Sequence, residues 1–171
     1  NQAHPHALRP ASPRSGTIAP MCGRFTRKYT WQQLYQLMML TTPPDSEELE
    51  PSFNVAPTQS SPVVRLDSHG RRTASMLRWG LIPSWAKDES IGARCVNARS
   101  EEAASKPAFR EAFRRRRCLV PISSFYEWQP LEGERHKQPW SIGVRGTPLF
   151  ALGGLWNTGS TRANRSRPSR S

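Results

Sequence analysis

Hydrophobic residues recur at helical spacing in one clear stretch near the start of the chain. Thr30 opens this stretch, and Gln33 follows three residues later, which is the pattern of a capping box. The pattern predicts a helix that begins at Thr30 and ends at Pro43-Pro44. Five apolar residues are expected to pack inward from it: Trp31, Leu34, Tyr35, Leu37 and Met38.

Most other apolar residues form short runs of the kind found in strands. The predicted strands span residues 22–29, 62–66, 73–79, 94–98, 118–128, 140–144 and 149–156. Ser68-His69-Gly70 predicts a turn between the second and third of these. Residues 51–58 contain two prolines, so an extended segment that ends in a turn is expected there instead of a helix.

Two further helical turns are predicted after the strand at 94–98. Ser100 is expected to cap a helix that starts at Glu101, and Pro107 to lie near the first turn of a second one. Glu111 and Arg115 are spaced as an exposed i, i+4 ion pair.

Composition favours a protein of strands and loops. The 171 residues amount to one domain, and 16 prolines with 11 glycines argue against a helical bundle. Three segments are predicted from local character. Residues 1–20 are interpreted as a disordered N-terminal extension, 21–156 as the folded domain and 157–171 as a disordered basic tail.

The net charge of +12 is shared between the tails and the domain. Six arginines outside residues 21–156 contribute half of this charge. Residues 21–156 themselves have a net charge of +6. A moderately basic domain suits contact with phosphates, although a solvated surface rich in arginine is the plainer explanation.

The remaining bulk features exclude several classes of protein. No apolar run approaches the roughly 20 residues of a membrane span. No secretory signal is recognisable in residues 1–20. Three cysteines without CxxC spacing indicate a reducing compartment and offer no zinc site. We therefore expect no metal, no cofactor and no membrane partner, and a monomer.

Met21-Cys22-Gly23-Arg24-Phe25 has the character of a protein start inside the chain. Removal of the Met would leave Cys22 with a free amine and a thiol on adjacent carbons. Such an aminothiol can form a Schiff base with an aldehyde and then close to a thiazolidine. A small buried structural thiol is the plainer alternative for Cys22.

Five short elements recur together in this chain: MCGRF at 21–25, FNVAPT at 53–58, RWGLIPSW at 78–85, NARSE at 97–101 and FYEW at 125–128. In this order and spacing they resemble the SRAP family of abasic-site processing and DNA–protein crosslink proteins. The resemblance covers residues 21–156. It implies an α+β fold, with mostly antiparallel strands in a barrel-like curled sheet and short peripheral helices.

The resemblance also implies a mechanism and its residues. Cys22 matches the cysteine whose amine condenses with the aldehyde of an abasic sugar in single-stranded DNA and whose thiol then closes a thiazolidine. Glu127 matches the catalytic glutamate, and Asn97 the asparagine beside the sugar. For Glu127, an outward-facing position on a strand is the alternative.

Four further residues are expected to contact DNA. Arg24 and Arg99 suit phosphates, since each lies two residues from a candidate catalytic residue. Trp79 is favoured over Trp85 as the indole that stacks on a base, with the other in the core. Asn54 either lines the same pocket or only forms a turn. The run 114–117 of four arginines contacts phosphates or is simply solvated.

Two departures from the family pattern qualify the expected activity. The family's catalytic histidine, in an HDRMP-like motif, has no counterpart in these 171 residues. If residues 1–21 are retained, Cys22 has an amide nitrogen and cannot form a Schiff base. A thiol (auto)peptidase that uses Cys22 and a non-catalytic binder of single-stranded DNA therefore stay open. A DNA-acting protein is expected in the cytoplasm if bacterial and in the nucleus if eukaryotic.

Overall fold

Eight strands and a few short helices make up the part of the chain that the computed structural model describes, residues 22–42 and 48–158. The strands are β1 (Phe25–Arg27), β2 (Ser52–Val55), β3 (Ser60–Leu66), β4 (Arg72–Arg78), β5 (Arg117–Ile122), β6 (Ser124–Pro130), β7 (Lys137–Ile142) and β8 (Phe150–Leu155). The helices are α1 (Trp31–Met38), α2 (Ser100–Ala103), α3 (Arg110–Arg115) and a 3₁₀ helix at Glu89–Arg94.

The strands form two four-stranded sheets. Their orders are β2-β1-β6-β7 and β4-β3-β5-β8, and the neighbouring strands run antiparallel. The predicted mix of antiparallel strands and short helices is thus confirmed. The barrel-like closure is not confirmed, because no pairing among the described strands joins one sheet to the other.

The predicted strand 118–128 is two strands in different sheets. β5 ends at Ile122 and β6 begins at Ser124, and the N–H of Ser123 between them donates to the carbonyl oxygen of Thr26 (2.8 Å). The predicted strands 140–144 and 149–156 are also not neighbours: β7 pairs with β6, and β8 with β5. An apolar run alone does not reveal such a change of partner.

Helix α1 has the predicted start and an earlier end. The Thr30 hydroxyl accepts from the Gln33 N–H, and the Gln33 side chain accepts from the Thr30 N–H, which confirms the capping box. Met39 adopts the left-handed conformation (φ 50°) and stops the helix. The expected stop at Pro43-Pro44 lies outside the described residues. Of the five apolar residues expected to pack inward from this helix, Tyr35 and Leu37 are exposed, because they lie on the side of the short helix that faces away from the sheet.

The segment before α2 is not a strand. The expected strand 94–98 begins in the 3₁₀ helix and continues as irregular chain, and Asp88 caps that helix. Arg99 is the N-cap of α2, without a side-chain cap bond, so Ser100 is the first helical residue and not the cap. Irregular chain leaves the side chains after Cys95 free to point in directions that a pleated strand forbids.

Two apolar clusters hold the sheets in place. One packs α1 on the β3–β4 hairpin through Trp31, Leu34, Val64 and Ala74, and the turn of that hairpin is at Gly70 (φ 75°), as predicted. The other joins the two sheets through Phe25, Val55 and Ile122, with Trp79 packed against it. No helix among the described residues is long and apolar enough to cross a membrane. The predicted disordered tails lie outside the described residues, apart from Asn157 and Thr158.

Candidate functional site

Cys22 lies just before β1 and lines a large cavity. The cavity has a volume of about 790 Å³, and Cys22, Asn97 and Trp79 line it together with apolar side chains from both sheets. The apolar residues that line it include Val63, Val120, Ile122 and Leu152. The elements that meet here are far apart in sequence, so only the fold brings them together.

Asn97 is the residue that holds Cys22 directly. Its side-chain Nδ2 donates to the carbonyl oxygen of Cys22 (2.7 Å), and both residues are half-buried. The irregular chain around Asn97 is tied to the loop after β4, since the carbonyl oxygen of Cys95 accepts from the Leu81 N–H (3.0 Å). Asn97 therefore orients the backbone of Cys22 across 75 residues of sequence.

The thiol of Cys22 is a protonated group in this environment. Its Sγ donates to the carbonyl oxygen of Arg24 (3.2 Å). Burial raises the pKa of the Cys22 thiol, and the negative charge of Glu127 raises it further, against the lowering effect of backbone hydrogen bonds. The thiol is thus neutral near pH 7, in contrast to the thiolate of an activated cysteine nucleophile.

Glu127 reaches the site through strand pairing. The N–H of Tyr126 donates to the carbonyl oxygen of Arg24 (2.9 Å), which extends the β1–β6 ladder to the edge of Cys22. Glu127 is the next residue of β6, is half-buried, and is close enough for its charge to act on the thiol. Because β6 is an inner strand of its sheet, the carboxylate rests on a rigid element.

Arg24 and Asn54 form a pair on the exposed side of the site. Arg24 donates to the Asn54 Oδ1 (2.7 Å), and both side chains are exposed. Arg99 is exposed at the start of α2 and does not line the cavity. The structure therefore brings Asn54 to Arg24, while Arg99 lies two residues beyond Asn97, next to the acidic first turn of α2.

The two tryptophans have exposures opposite to those favoured from the sequence. Trp79 packs on Phe25 (ring centroids 5.3 Å apart) and donates its indole N–H to the carbonyl oxygen of Val96 (2.6 Å). Trp85 is 58% exposed. Trp79 still lines the cavity, so its predicted contact with DNA stays a prediction.

Sequence reasoning gave no role to Tyr126. Its hydroxyl donates to the carbonyl oxygen of Phe53 (3.0 Å), which ties β6 to β2 beside the Arg24–Asn54 pair. Phe53 itself is exposed, with the Lys28 ammonium 5.4 Å from its ring centre. A tyrosine next to a candidate glutamate was the available signal, but its partner depends on the pairing of β1 with both strands.

Metal chemistry finds no support in this part of the chain. Within residues 22–42 and 48–158, no group of three or more His, Cys, Asp or Glu is arranged to hold a metal ion. The three cysteines are free, and all three line the large cavity.

Comparison with known proteins identifies what the chain is similar to. Residues 21–169 match the family model described as SOS response associated peptidase (SRAP). The abasic site processing protein YoaM of Bacillus subtilis is 41% identical over 141 residues, which cover 82% of this chain and 61% of that protein. The abasic site processing protein HMCES of Mus musculus is 32% identical over 142 residues, 71% of this chain and 40% of that protein.

Solved structures show the same fold. A crystal structure from Bacteroides thetaiotaomicron superimposes with a TM-score of 0.66 at 23% identity, covering 79% of this chain and 61% of that one. A phage-related protein from Bordetella bronchiseptica gives 0.63 at 23% identity, covering 81% and 63%. The chain thus spans about three fifths of the length of the Bacillus relatives and of these structures.

Proposed function

This chain belongs to the SOS response associated peptidase (SRAP) family, and we propose that it processes abasic sites in DNA by covalent capture through Cys22. The observation that carries the proposal is the hydrogen bond from Asn97 to the backbone of Cys22 beside the carboxylate of Glu127. The names of the Bacillus and mouse relatives support the same substrate.

The reaction needs an amine, an aldehyde and one proton relay. The amine of Cys22 adds to the aldehyde of the ring-opened sugar, and loss of water from the adduct leaves an imine. Glu127, as a carboxylate, is proposed to take the proton that the attacking amine releases and to give it to the departing hydroxyl, which is general base and then general acid catalysis. The S–H of Cys22 then adds across the imine, so that sulfur bonds to carbon and the proton goes to nitrogen, closing a thiazolidine.

The protonated thiol favours this order of steps. An α-amino group has a pKa of about 7.7–8.0, so a useful fraction of the amine is neutral and attacks first. The thiol needs only to be held beside the imine, where intramolecular attack gains on the order of 7–11 kcal/mol. Asn97 contributes by fixing the residue that carries both groups.

The same observations weigh against a thiol peptidase. That reaction uses a thiolate, usually formed beside a histidine. The pKa of the Cys22 thiol is raised, and neither His69 nor His136, the two histidines that the structure describes, lines the cavity. Capture of an aldehyde is therefore the better match to this site.

Single-stranded DNA is the proposed form of the substrate. Arg24 and Arg99 are exposed cations near Cys22 and Asn97, and they suit phosphates on either side of the lesion. Asn54 would orient Arg24 through their hydrogen bond. Trp79 would meet a base or the sugar from the cavity wall.

The proposal has a chemical condition at the N-terminus. The amine of Cys22 exists only when the preceding residues have been removed. The test therefore compares protein that begins at Cys22 with the full 171 residues, each incubated with a labelled single strand that contains one abasic site.

Protein that begins at Cys22 should form an adduct that survives heat and detergent, with the mass of protein plus DNA less one water. Cys22→Ser should abolish it, and Glu127→Gln should slow it on the order of 10²- to 10⁴-fold. Cys95→Ser is the matched control, because that thiol lines the same cavity. A heat-stable adduct on Cys22→Ser protein would disprove ring closure by the thiol, and an adduct on a chain that retains residues 1–21 would disprove capture by the Cys22 amine.

A further inference from the structure

The outer strand β8 has a composition that suits the interior of a sheet. It forms one edge of its sheet and pairs only with β5 among the described strands. Residues 149–156 read LFALGGLW, with neither a charged residue nor a proline. Exposed edge strands usually carry lysine, proline or an irregularity that discourages pairing with another chain. The sequence of β8 has no such protection.

The other three outer strands of the described chain are protected. β7 contains Lys137 and Pro139, and β4 begins with Arg72 and ends with Arg78. β2 is only four residues long, and Pro51 precedes it. Among the strands that the structure describes, β8 is therefore the outer strand that is open to a further neighbour.

Half of the backbone groups of β8 point away from β5. The Trp156 N–H donates to the carbonyl oxygen of Arg116 (2.9 Å), so these two residues form a hydrogen-bonded pair. Such pairs alternate along an antiparallel ladder, and every second residue of β8 therefore bonds to β5. Pro121, which has no N–H, lies opposite Ala151, in agreement with this alternation. The outward-pointing N–H and C=O groups belong to Ala151, Gly153 and Leu155.

The two ends of the chain lack the sequence of a strand that could cover this edge. After β8, Asn157 donates its Nδ2 to the carbonyl oxygen of Ile82 (2.8 Å), which directs the chain to the loop after β4. Residues 159–171 contain four arginines and no apolar residue except Ala163. Residues 1–20 contain four prolines. A strand that pairs with β8 is therefore expected from another polypeptide.

The edge of β8 is complementary to the same edge of a second copy. When Gly153 lies opposite Gly153 of the second copy on a two-fold axis, all outward groups find partners in about six hydrogen bonds. In this register Leu152 lies opposite Gly154 of the second copy, and Leu155 lies opposite Ala151. Each large side chain thus meets a small one on both faces of the sheet.

The same register covers apolar surface of the large cavity. Gly154 lines that cavity, and a Cβ on it would lie 2.7 Å from a methyl group of Val120 and 3.0 Å from the sulfur of Cys118. This chain therefore cannot place its own side chain there. Leu152 also lines the cavity and is 37% exposed. In the pair, Leu152 of each copy lies beside Gly154 of the other, which removes this apolar surface from water.

We propose that two copies of this chain pair through the edges of their β8 strands and join their sheets into one. The pair is antiparallel and symmetric, with Gly153 on the two-fold axis, in place of the monomer expected from composition. Two strands of six residues bury on the order of 1,000 Å², at the low end of specific interfaces, so the pair dissociates on dilution. This pairing is independent of the chemistry at Cys22.

The oligomeric state of the full 171-residue chain tests the pairing. Light scattering after gel filtration should give twice the mass of 19.3 kDa at high concentration and approach the single mass on dilution. Gly153→Lys should leave a monomer, because two like charges would lie directly opposite each other. A Cβ at Gly153 has nothing within 4 Å, so the fold should tolerate this lysine, which a circular dichroism melt checks. Met76→Lys is the matched control, at an exposed position of β4 on the other edge of the same sheet.

Opposite charges test the register of the two strands. Gly153→Glu should also be a monomer on its own, for the same reason as Gly153→Lys. An equimolar mixture of the two variants should recover twice the mass of one chain, because the lysine of one copy then lies opposite the glutamate of the other. This recovery also excludes misfolding of β8 as the cause of the monomers.

Several results would overturn the proposal. The mass of one chain at every concentration would mean that the edge of β8 belongs to another segment, such as the additional length of the relatives. A dimer that survives Gly153→Lys, or one that Met76→Lys abolishes, would place the contact elsewhere on the molecule. Growth beyond two copies would reject a closed, symmetric pair. Failure of the mixed charge variants to associate would reject the register centred on Gly153.

Discussion

At the scale of single residues, Cys22 is defined by contacts that its sequence neighbours do not supply. Asn97 holds its carbonyl oxygen, and the charge of Glu127 adds to burial in raising the pKa of its thiol. Arg24, two residues along, accepts from the thiol through its backbone and turns its side chain to Asn54. One residue thus has a fixed backbone, a neutral thiol and an exposed cation beside it.

The negative charge of Glu127 should have a measurable effect on the pKa of the Cys22 thiol. Glu127→Gln removes a negative charge that disfavours the thiolate, so the pKa of Cys22 should fall, and alkylation by iodoacetamide should begin at lower pH. Glu134→Gln is the control, an exposed carboxylate in the turn after β6. Identical alkylation profiles in wild type and Glu127→Gln would show that the two groups do not interact.

The rate of adduct formation should depend more on the hydrogen-bond donor of Asn97 than on the size of its side chain. Asn97→Asp keeps the shape but replaces the donating Nδ2 by an oxygen that repels the carbonyl oxygen of Cys22. Misplacement of a reacting group by about 1 Å costs on the order of 10²-fold, so adduct formation should slow by about that factor. Asn54→Asp is the matched control, because it keeps the acceptor that Arg24 uses. Similar rates for the two variants would reject a positioning role for Asn97.

At the scale of elements, the loop after β4 is locked to the 3₁₀ helix by two glycines. Gly80 has a φ of +127°, a conformation that residues with a side chain rarely adopt. A Cβ at Gly80 would lie 2.7 Å from the carbonyl oxygen of Gly92, a backbone atom that cannot turn away. This close approach fixes the loop between Trp79 and Trp85, whose first residues line the large cavity.

Gly80→Ala should therefore disturb both stability and DNA binding. Urea unfolding should show a loss greater than the 1–2 kcal/mol or so of backbone strain alone. Gly133→Ala is the control, since Gly133 also has a positive φ (77°) but nothing within 4 Å of its Cβ position. Equal losses in the two variants would mean that the contact with Gly92 does not constrain the loop.

At the scale of the whole molecule, β5 and β6 are consecutive strands that belong to different sheets. β5 carries Cys118, whose thiol lines the large cavity. Burial raises its pKa to about 11, although the nearby Arg65 opposes the shift. Arg65 in turn lies 4.6 Å from the ring centre of Trp156, which lines the same cavity.

Cys118 should make the protein sensitive to alkali. A cysteine in the unfolded chain ionises near pH 8.5. The neutral Cys118 thiol therefore contributes fully to the free energy of unfolding below that pH. This contribution, about 3 kcal/mol, is lost as the pH rises through about 11. Chemical denaturation between these limits should show a shallower decline for Cys118→Ala than for wild type. Tyr29, whose pKa burial also raises, is present in both proteins and cancels. Parallel curves would show that the thiol is solvated in the folded state.

The elements that could be predicted are those specified by neighbours in sequence. The capping box at Thr30, the hairpin turn at Gly70 and the Glu111–Arg115 pair (3.6 Å) are as expected. The predictions that are wrong concern segments whose conformation depends on contacts with residues distant in sequence. The segment after Arg94 is held by the loop after β4 as irregular chain, and the run 118–128 divides because Ser123 bonds to β1.

The sequence by itself determined the class of fold, the short helix after β1 and the membership of Cys22, Asn97 and Glu127 in one set of motifs. These follow from local preference and from the order of short elements along the chain. Only the tertiary structure decided which tryptophan is exposed, which strands are neighbours and that Asn97 reaches Cys22. The physical reason is that a side chain's direction and burial depend on partners that sequence spacing does not contain.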